Sequence, residues 1–462
     1  MNPNRINSIK NGIENDNKNQ YILYWMQQSQ RVNYNHALEH ATRIANAKKL
    51  PLVVFFGLST DYPDANLRHY QFMLEGVQEV KKTLESMNIK FVFKLESPEK
   101  AILPLLEQAN TLVLDYGYLL IQKKWRQFVW DYANRHINHL SIDIVDTDVI
   151  VPVDIVSNKA EYGAYTLRPK LHRLYQEYRD FGGVIEVNEP NRIDIDSDDD
   201  LSNITELINR LPIDKTIAPS PIYRGGYLEA KKWLLFFLDN QINNYPQSND
   251  PGDNYTSKLS MYLHFGQISS LEILELLIER YHSHEVNQEA YLSFFEQLLV
   301  RRELAFNYVT YQKKYFQFDS MTEPWAYQTM DLHQYDGRTY IYTIDDYIHF
   351  KTHDKYFNAA MKEMVYTGYM HNYMRMYWAK KIIEWSKTYQ EAYQIILSLN
   401  NRYFIDGRDP NSYAGIAWCF GKHDRAWTER PIFGKLRYMN SLGLERKFNM
   451  DNYIQRIEKM IP

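Results

Sequence analysis

Three clusters in the second half of this chain combine residue types that could do chemistry. Thr256-Ser257-Lys258-Leu259-Ser260 stands just before a helical pattern, where hydroxyls and free backbone N–H groups can receive a phosphate. A plain helix cap is the commoner meaning of such a cluster. Further on, Arg375 and Trp378 sit three apart on one helix face, with Trp385 two turns beyond, roughly 10 Å along the axis. Aromatic stripes of this spacing usually pack a core. In the third cluster, His423-Asp424-Arg425-Ala426-Trp427 leads to Arg430, Lys435, Arg437 and Tyr438. Basic residues interleaved with aromatics suit phosphate contacts and base stacking, although a solvated face often looks the same.

The elements that must position these residues fall into two regimes. Between 21 and 150, β-rich runs at 21–26, 50–58, 90–95, 111–116 and 143–150 alternate with helical patterns such as 70–87. This alternation predicts an α/β domain built on a doubly wound parallel sheet. A dinucleotide site is disfavoured, because no GxGxxG follows the first strand. Residues 1–20 are polar and read as a disordered tail. Residues 178–255 carry Asp194, Asp196, Asp198, Asp199 and Asp200 and then several prolines, which predicts a solvated interdomain linker with a short helix at 227–243. From 260 onward the periodicity is helical, with long segments expected at 270–281, 290–308 and 367–385. The division is therefore a tail at 1–20, an α/β domain at 21–177, a linker at 178–255 and a helical domain at 256–462.

Composition bounds the rest. A chain of 462 residues exceeds what one core usually serves, so two domains are expected. Cys419 is the single cysteine, which excludes an intrachain disulfide and a cysteine-based zinc site. No apolar run is long enough to span a bilayer, and the first residues lack a signal-peptide core. The cell interior is the expected location, and a monomer the default state. Net charge is −4, which by itself argues against nucleic acid, but binding depends on a local patch. The 38 tyrosines and 9 tryptophans are compatible with a flat ligand or stacked bases.

Four strings between 256 and 437 resemble the flavin-binding half of class II DNA photolyases. They are TSKLSxYLHFGQIS from Thr256, MHxYMRMYWAKKIxEW from Met370, LNNRYFIDGRDPN from Leu399 and HDRAW from His423. Thinner matches lie earlier, at Tyr24-Trp25-Met26 with Gln30-Arg31, at Arg68 to Gly76 and at Tyr165 to Leu171. The resemblance implies an N-terminal Rossmann-like antenna domain and a C-terminal all-helical domain that binds FAD. It implies that Thr256, Ser257, Lys258, Leu259, Ser260, Arg301, Gly407, Asp409 and Asn411 hold the cofactor. Arg375 and Asp406 would form an ion pair beside the flavin, with Asn400 facing its redox-active nitrogen. Met376 and Trp418 would line the pocket for a flipped cyclobutane pyrimidine dimer, and Trp378 and Trp385 would carry electrons. Arg425, Trp427, Arg430, Lys435 and Arg437 would grip UV-damaged DNA, placing the protein wherever the cell keeps its DNA. A second chromophore, often a deazaflavin, would sit in the α/β domain.

Three positions depart from the family's pattern. The family has a glutamate four residues before the unit that here reads Arg301-Arg302-Glu303, which lands on Gln297, with Glu296 adjacent. Glutamine can donate a hydrogen bond but cannot transfer a proton. Phe306 stands where the family has aspartate, and Phe357 where it has the tryptophan that relays electrons to Trp378. These departures predict slower repair and slow photoreduction, rerouted through Trp385, Tyr356 or Tyr342. They also keep open a blue-light photoreceptor without repair, against which the lack of a long extension after Pro462 leans. A light-independent nucleic-acid-binding module is the remaining alternative and predicts a colourless protein.

Overall fold

A computed structural model describes residues 1–13 and 20–460. Six strands form one sheet in the order β1-β6-β5-β2-β3-β4. They span Ile6–Lys10 (β1), Tyr21–Trp25 (β2), Leu52–Gly57 (β3), Lys90–Lys94 (β4), Ala109–Asp115 (β5) and Ser141–Val145 (β6). β2 to β6 are parallel to one another, with Leu23 opposite Val53 on one side and Leu112 on the other. The chain winds outward from β2 first through β3 and β4, then returns to lay down β5 and β6. β2, β3 and β5 are nearly continuous apolar runs because helices cover both faces of the sheet.

The disordered tail expected at 1–20 is corrected by an ordered edge strand. β1 pairs antiparallel with β6, Ile6 opposite Val145 and Ser8 opposite Asp143. A polar strand is tolerated there because only one of its edges must pair. Buried Arg5 anchors it, donating to the carbonyls of Asp146 and Val149 at 3.1 Å and of Tyr178 at 2.9 Å. Residues 14–19 of that expected tail lie outside the described residues.

The solvated linker is corrected as well. The acidic run follows the β4 edge: Asp198 donates its N–H to the Phe93 carbonyl at 2.8 Å and takes the Lys94 ammonium at 2.9 Å. A short helix, Ile204–Arg210, then packs on the helix Leu67–Ser86 and buries Leu201, Leu207 and Ile208. The helical body begins at the helix Tyr227–Asn240 rather than at 256, since this helix packs against Ser270–His282. Asp198, Asp199 and Asp200 have local partners in Lys94, Arg210 and Ser202, so this end of the run is folded despite its charge.

Two long helices expected from periodicity are interrupted. The segment expected at 290–308 is Gln288–Phe295, then a π-helical turn at Glu296–Arg301, then Arg302–Tyr311. The segment expected at 367–385 is divided at Gly368 (φ +79°), which ends the helix Lys355–Thr367 before Asn372–Trp385 starts. A side chain at that φ would be strained, so glycine makes the break.

Buried arginines lock the two halves together. The Arg68 guanidinium, from the sheet-side helix, donates to the carbonyls of Ala218 (2.9 Å), Met364 (3.1 Å), Tyr403 (2.7 Å) and Val365 (2.6 Å). Arg31 reaches Gly266 at 3.0 Å and Thr147 at 2.7 Å, while Arg302 pairs with Asp148 at 2.6 Å. The helical body is thereby fixed on the carboxyl edge of the sheet. Among the described residues no helix is long and apolar enough to cross a membrane.

Candidate functional site

A cleft of about 470 Å³ opens in the helical body, and most of the residues singled out from the sequence converge on it. Thr256, Ser257, Lys258, Leu259 and Ser260 form one wall. Arg375, Met376 and Trp378 come from the helix Asn372–Trp385, and Asn400 from Tyr389–Tyr403. Asp406, Asp409, Asn411 and Trp418 close the far side, and Gln297 and Arg301 enter from the π-turn.

The centre of the cleft is a fork-to-fork ion pair. Arg375 Nη1 lies 3.0 Å from Asp406 Oδ1, and Nη2 lies 3.1 Å from Oδ2. Arg375 Nε also donates to the Met370 carbonyl at 3.1 Å, and the Phe404 ring lies 4.0 Å beneath the guanidinium. With every edge engaged, the charge is held in one place, which suits it to bias a charged ligand beside it.

Lys258 has φ +59° and a buried ammonium that meets an Asn254 amide oxygen and the Tyr369 ring at 4.0 Å rather than a carboxylate. Burial holds its pKa well below the ordinary lysine value. Removing that much hydration from a cation is costly unless an anion joins it. The Thr256–Ser260 turn therefore fits the phosphate of a bound cofactor. Asp409 is buried too; burial pushes its pKa up, but hydrogen bonds from His264 (3.2 Å) and Asn411 (2.8 Å) outweigh this and keep it low.

The π-turn decides which acidic neighbour serves the cleft. Gln297 lines it, whereas Glu296 turns outward onto Arg168 at 2.7 and 2.9 Å and Arg301 at 3.0 Å. Glu296 therefore does not replace the missing glutamate, and Arg301 is partly committed to it.

Two expected site residues stand away from the cleft. Gly407 is packed on the preceding helix, where a Cβ would lie 2.7 Å from the Asn400 carbonyl oxygen, so it shapes the turn instead of lining the site. Trp385 is buried one layer behind, 5.0 Å from Phe357 and 5.3 Å from Tyr342 between ring centroids. Tyr342 in turn shares a 2.8 Å hydrogen bond with His353 Nδ1. Trp378 donates its indole N–H to the Met361 sulfur at 3.0 Å. Phe306 lies at a second, smaller cavity and packs edge-on against Tyr118.

The expected DNA-gripping residues gather on one turn beside the cleft mouth. Arg437 forks onto Asp424 at 2.9 and 3.0 Å, and its guanidinium lies 4.2 Å from the Trp427 ring and 5.1 Å from Trp418. Arg425 covers Trp427 at 4.8 Å, and Arg430 covers Tyr438 at 5.1 Å. Backbone bonds between Arg430 and Gly434 close the turn, leaving Arg425, Arg430 and Lys435 exposed. A local basic surface therefore exists in a chain of net charge −4.

Sequence reading assigned no site role to His423, Tyr369 or Phe404, all of which line the cleft. Burial lowers His423 to a pKa of about 4, so it stays neutral near pH 7, and its Nδ1–H donates to the Tyr162 carbonyl at 2.8 Å. Its position in HDRAW was the only available signal. The second cavity, about 120 Å³, sits where β2 and β3 end against the helical body, near Met26, Leu58, Tyr62, His264 and Arg408.

A Rossmann-like sheet domain capped by a helical domain with a polar cleft and a basic, aromatic mouth is the architecture of photolyases and cryptochromes. Solved structures agree: a class III photolyase from Agrobacterium tumefaciens superposes with TM-score 0.73 at 16% identity, covering 98% of this chain and 88% of that one. A photolyase from Sulfolobus tokodaii, described with two FAD molecules, gives 0.67 at 14% identity over 95% and 90%. Residues 22–191 match the DNA photolyase family model. A deoxyribodipyrimidine photo-lyase of Methanothermobacter thermautotrophicus is 43% identical over 98% of this chain and 97% of its own. That of Potorous tridactylus is 35% identical over 99% and 85%. The chain belongs to the DNA photolyase family, a family of enzymes.

Proposed function

We propose that this protein is a class II photolyase that holds FAD in the 470 Å³ cleft and splits cyclobutane pyrimidine dimers in DNA under blue light. The observation that carries the reading is the convergence of the Thr256–Ser260 turn, the Arg375–Asp406 fork and Asn400 on one cleft whose mouth bears Arg425 to Arg437. When bound and reduced, FAD supplies the light-excited electron; the protein supplies binding, orientation and field.

Lys258 and the Thr256–Ser260 turn would hold the cofactor's phosphates. The Arg375 guanidinium would balance negative charge on its ring system, and Asp406 fixes that guanidinium in place. Met376 and Trp418 would receive the extruded dimer, and the Gln297 amide would donate a hydrogen bond to it. Extrusion costs a few kcal/mol, less for a damaged base pair that stacks poorly. Arg425, Arg430 and Lys435 would grip the flanking phosphates. The 120 Å³ cavity at the carboxyl ends of β2 and β3 would take the second chromophore, of deazaflavin type.

The second reading, a photoreceptor without repair, is favoured by Gln297 and Phe357. Protein purified in the light should be yellow or blue and release about one FAD per chain. Blue light should then restore dimer-containing duplex DNA. A colourless protein would contradict both flavin readings, and a coloured protein inactive on dimers would favour the receptor.

A further inference from the structure

The helix Met450–Met460 packs on the helix Lys355–Thr367, and Glu363 lies fully buried between them. Both oxygens of its carboxylate are engaged. One accepts the Tyr453 hydroxyl at 2.9 Å and the His371 backbone N–H at 3.1 Å; the other meets Arg456 Nη1 and Nη2 at 3.3 Å each. Tyr453 and Arg456 both come from the helix Met450–Met460. None of these four residues lines the cleft.

The cluster nonetheless touches two sides of the cleft from behind. Arg456 Nη2 also donates to the Pro251 carbonyl at 3.2 Å, and a Cβ on Gly252 would lie 2.7 Å from the Asn449 carbonyl oxygen. The helix Met450–Met460 is thus seated on the stretch that leads into Thr256–Ser260. On the other side, His371 caps the helix Asn372–Trp385, and its neighbour Met370 gives its carbonyl to Arg375 Nε. Charge decides what this arrangement can do. Lys258 is buried and bonded to Asn254 rather than to a carboxylate. Three charges act on it: Glu363 favours its ammonium form, and Arg456 and Arg375 oppose it. Without Arg456, Glu363 would be a bare buried anion whose field reaches Lys258 and competes with a phosphate for that ammonium. Paired with Arg456, it is close to neutral when seen from the cleft.

We propose that Arg456 is a positioning residue for the cofactor: by neutralising Glu363, it leaves the Lys258 ammonium available to the FAD phosphates. This rests on the reading that Lys258 and the Thr256–Ser260 turn receive those phosphates. It adds that the helix Met450–Met460, which contributes no residue to the cleft wall, sets how tightly FAD is held.

The test is the rate at which flavin-loaded protein releases FAD, followed by the rise in free-flavin fluorescence after dilution, with thermal unfolding as the check on folding. Arg456→Met should speed release by roughly 5- to 150-fold, the span of coupling between two linked sites. Arg456→Lys keeps the charge and should release FAD at close to the wild-type rate. The double change Arg456→Met with Glu363→Gln removes both charges and should do the same. A merely structural ion pair predicts the opposite for the double variant, which loses the same contacts and should release FAD at least as fast as Arg456→Met. That result, or wild-type release from Arg456→Met, would overturn the proposal and leave the FAD reading standing. If Arg456→Met does not fold, the other two variants decide: fast release from either overturns the proposal. A wild-type protein that carries no FAD would overturn both.

Discussion

Glu296 and Gln297 are sequence neighbours that serve opposite sides of one wall: Gln297 faces the cleft, and the Glu296 carboxylate is tied to Arg168 and Arg301 outside it. The π-helical turn at Glu296–Arg301 sets this division, as such turns often do beside functional sites. The acidic function expected beside the dimer is therefore replaced by an amide.

Gln297→Glu should raise the number of dimers split per photon absorbed severalfold, because a carboxyl group can pass a proton to the dimer whereas the amide can only donate a hydrogen bond. Glu296→Gln should not reproduce that gain, because its side chain is outside the cleft. An unchanged yield in Gln297→Glu, or near-zero repair in the wild type, would count against a slowed repair enzyme.

Arg375→Leu should cost the protein its flavin. The change strands the buried Asp406 carboxylate; the Arg375 side of the pair is partly exposed, so the cost falls below the roughly 3–5 kcal/mol of a fully buried pair. Flavin content after gel filtration measures the loss. Asp406→Asn, which keeps a hydrogen-bond acceptor, should retain more flavin than Arg375→Leu; equal and full retention in both would remove the pair from cofactor binding.

Photoreduction should be slow in the wild type and faster in Phe357→Trp, since phenylalanine is much harder to oxidise than tryptophan. Trp385 and Tyr342 stand 5.3 Å apart between centroids, and Tyr342 has His353 as a partner for its hydroxyl proton. They offer the alternative route, so Tyr342→Phe and Trp385→Phe should each slow the reaction further. Stopped or flash measurements of flavin bleaching decide it: a fast wild-type rate untouched by either change would rule the route out.

Arg68→Ala should destabilise the whole molecule without altering the cleft. Four carbonyls on three separate segments lose their donor, at about 2–4 kcal/mol in total after water enters. Thermal unfolding should show a lower Tm, and Arg68→Lys should recover only part of it, having fewer donors. A Tm within error of wild type would mean the interdomain contact is held elsewhere.

The parallel strands were legible because β2, β3 and β5 are buried on both faces and therefore read as apolar runs. β1 was not, because an edge strand half in water has no period to read, and its anchor is the single side chain of Arg5. The acidic run hid the helix Ile204–Arg210 behind aspartates that have their own partners in Lys94 and Arg210. Residues from each of the four strings line the cleft, but periodicity alone could not place the break at Gly368 or the π-turn. The π-turn is what separates Gln297 from Glu296, and it depends on three-dimensional packing rather than on spacing. His423 was seen within HDRAW but given no role, because its task is to fasten the Tyr162 carbonyl, a contact across 261 positions of sequence.

The central claim is light-driven repair in the cleft built around Arg375 and Asp406. A duplex with a single thymine dimer should be incubated with reduced, flavin-loaded protein under blue light and in the dark, and the intact thymines counted. The account predicts restoration in the light, none in the dark, and loss of the activity in Arg375→Leu. Equal dimer content in light and dark, in protein that is fully reduced and binds the duplex, would contradict it.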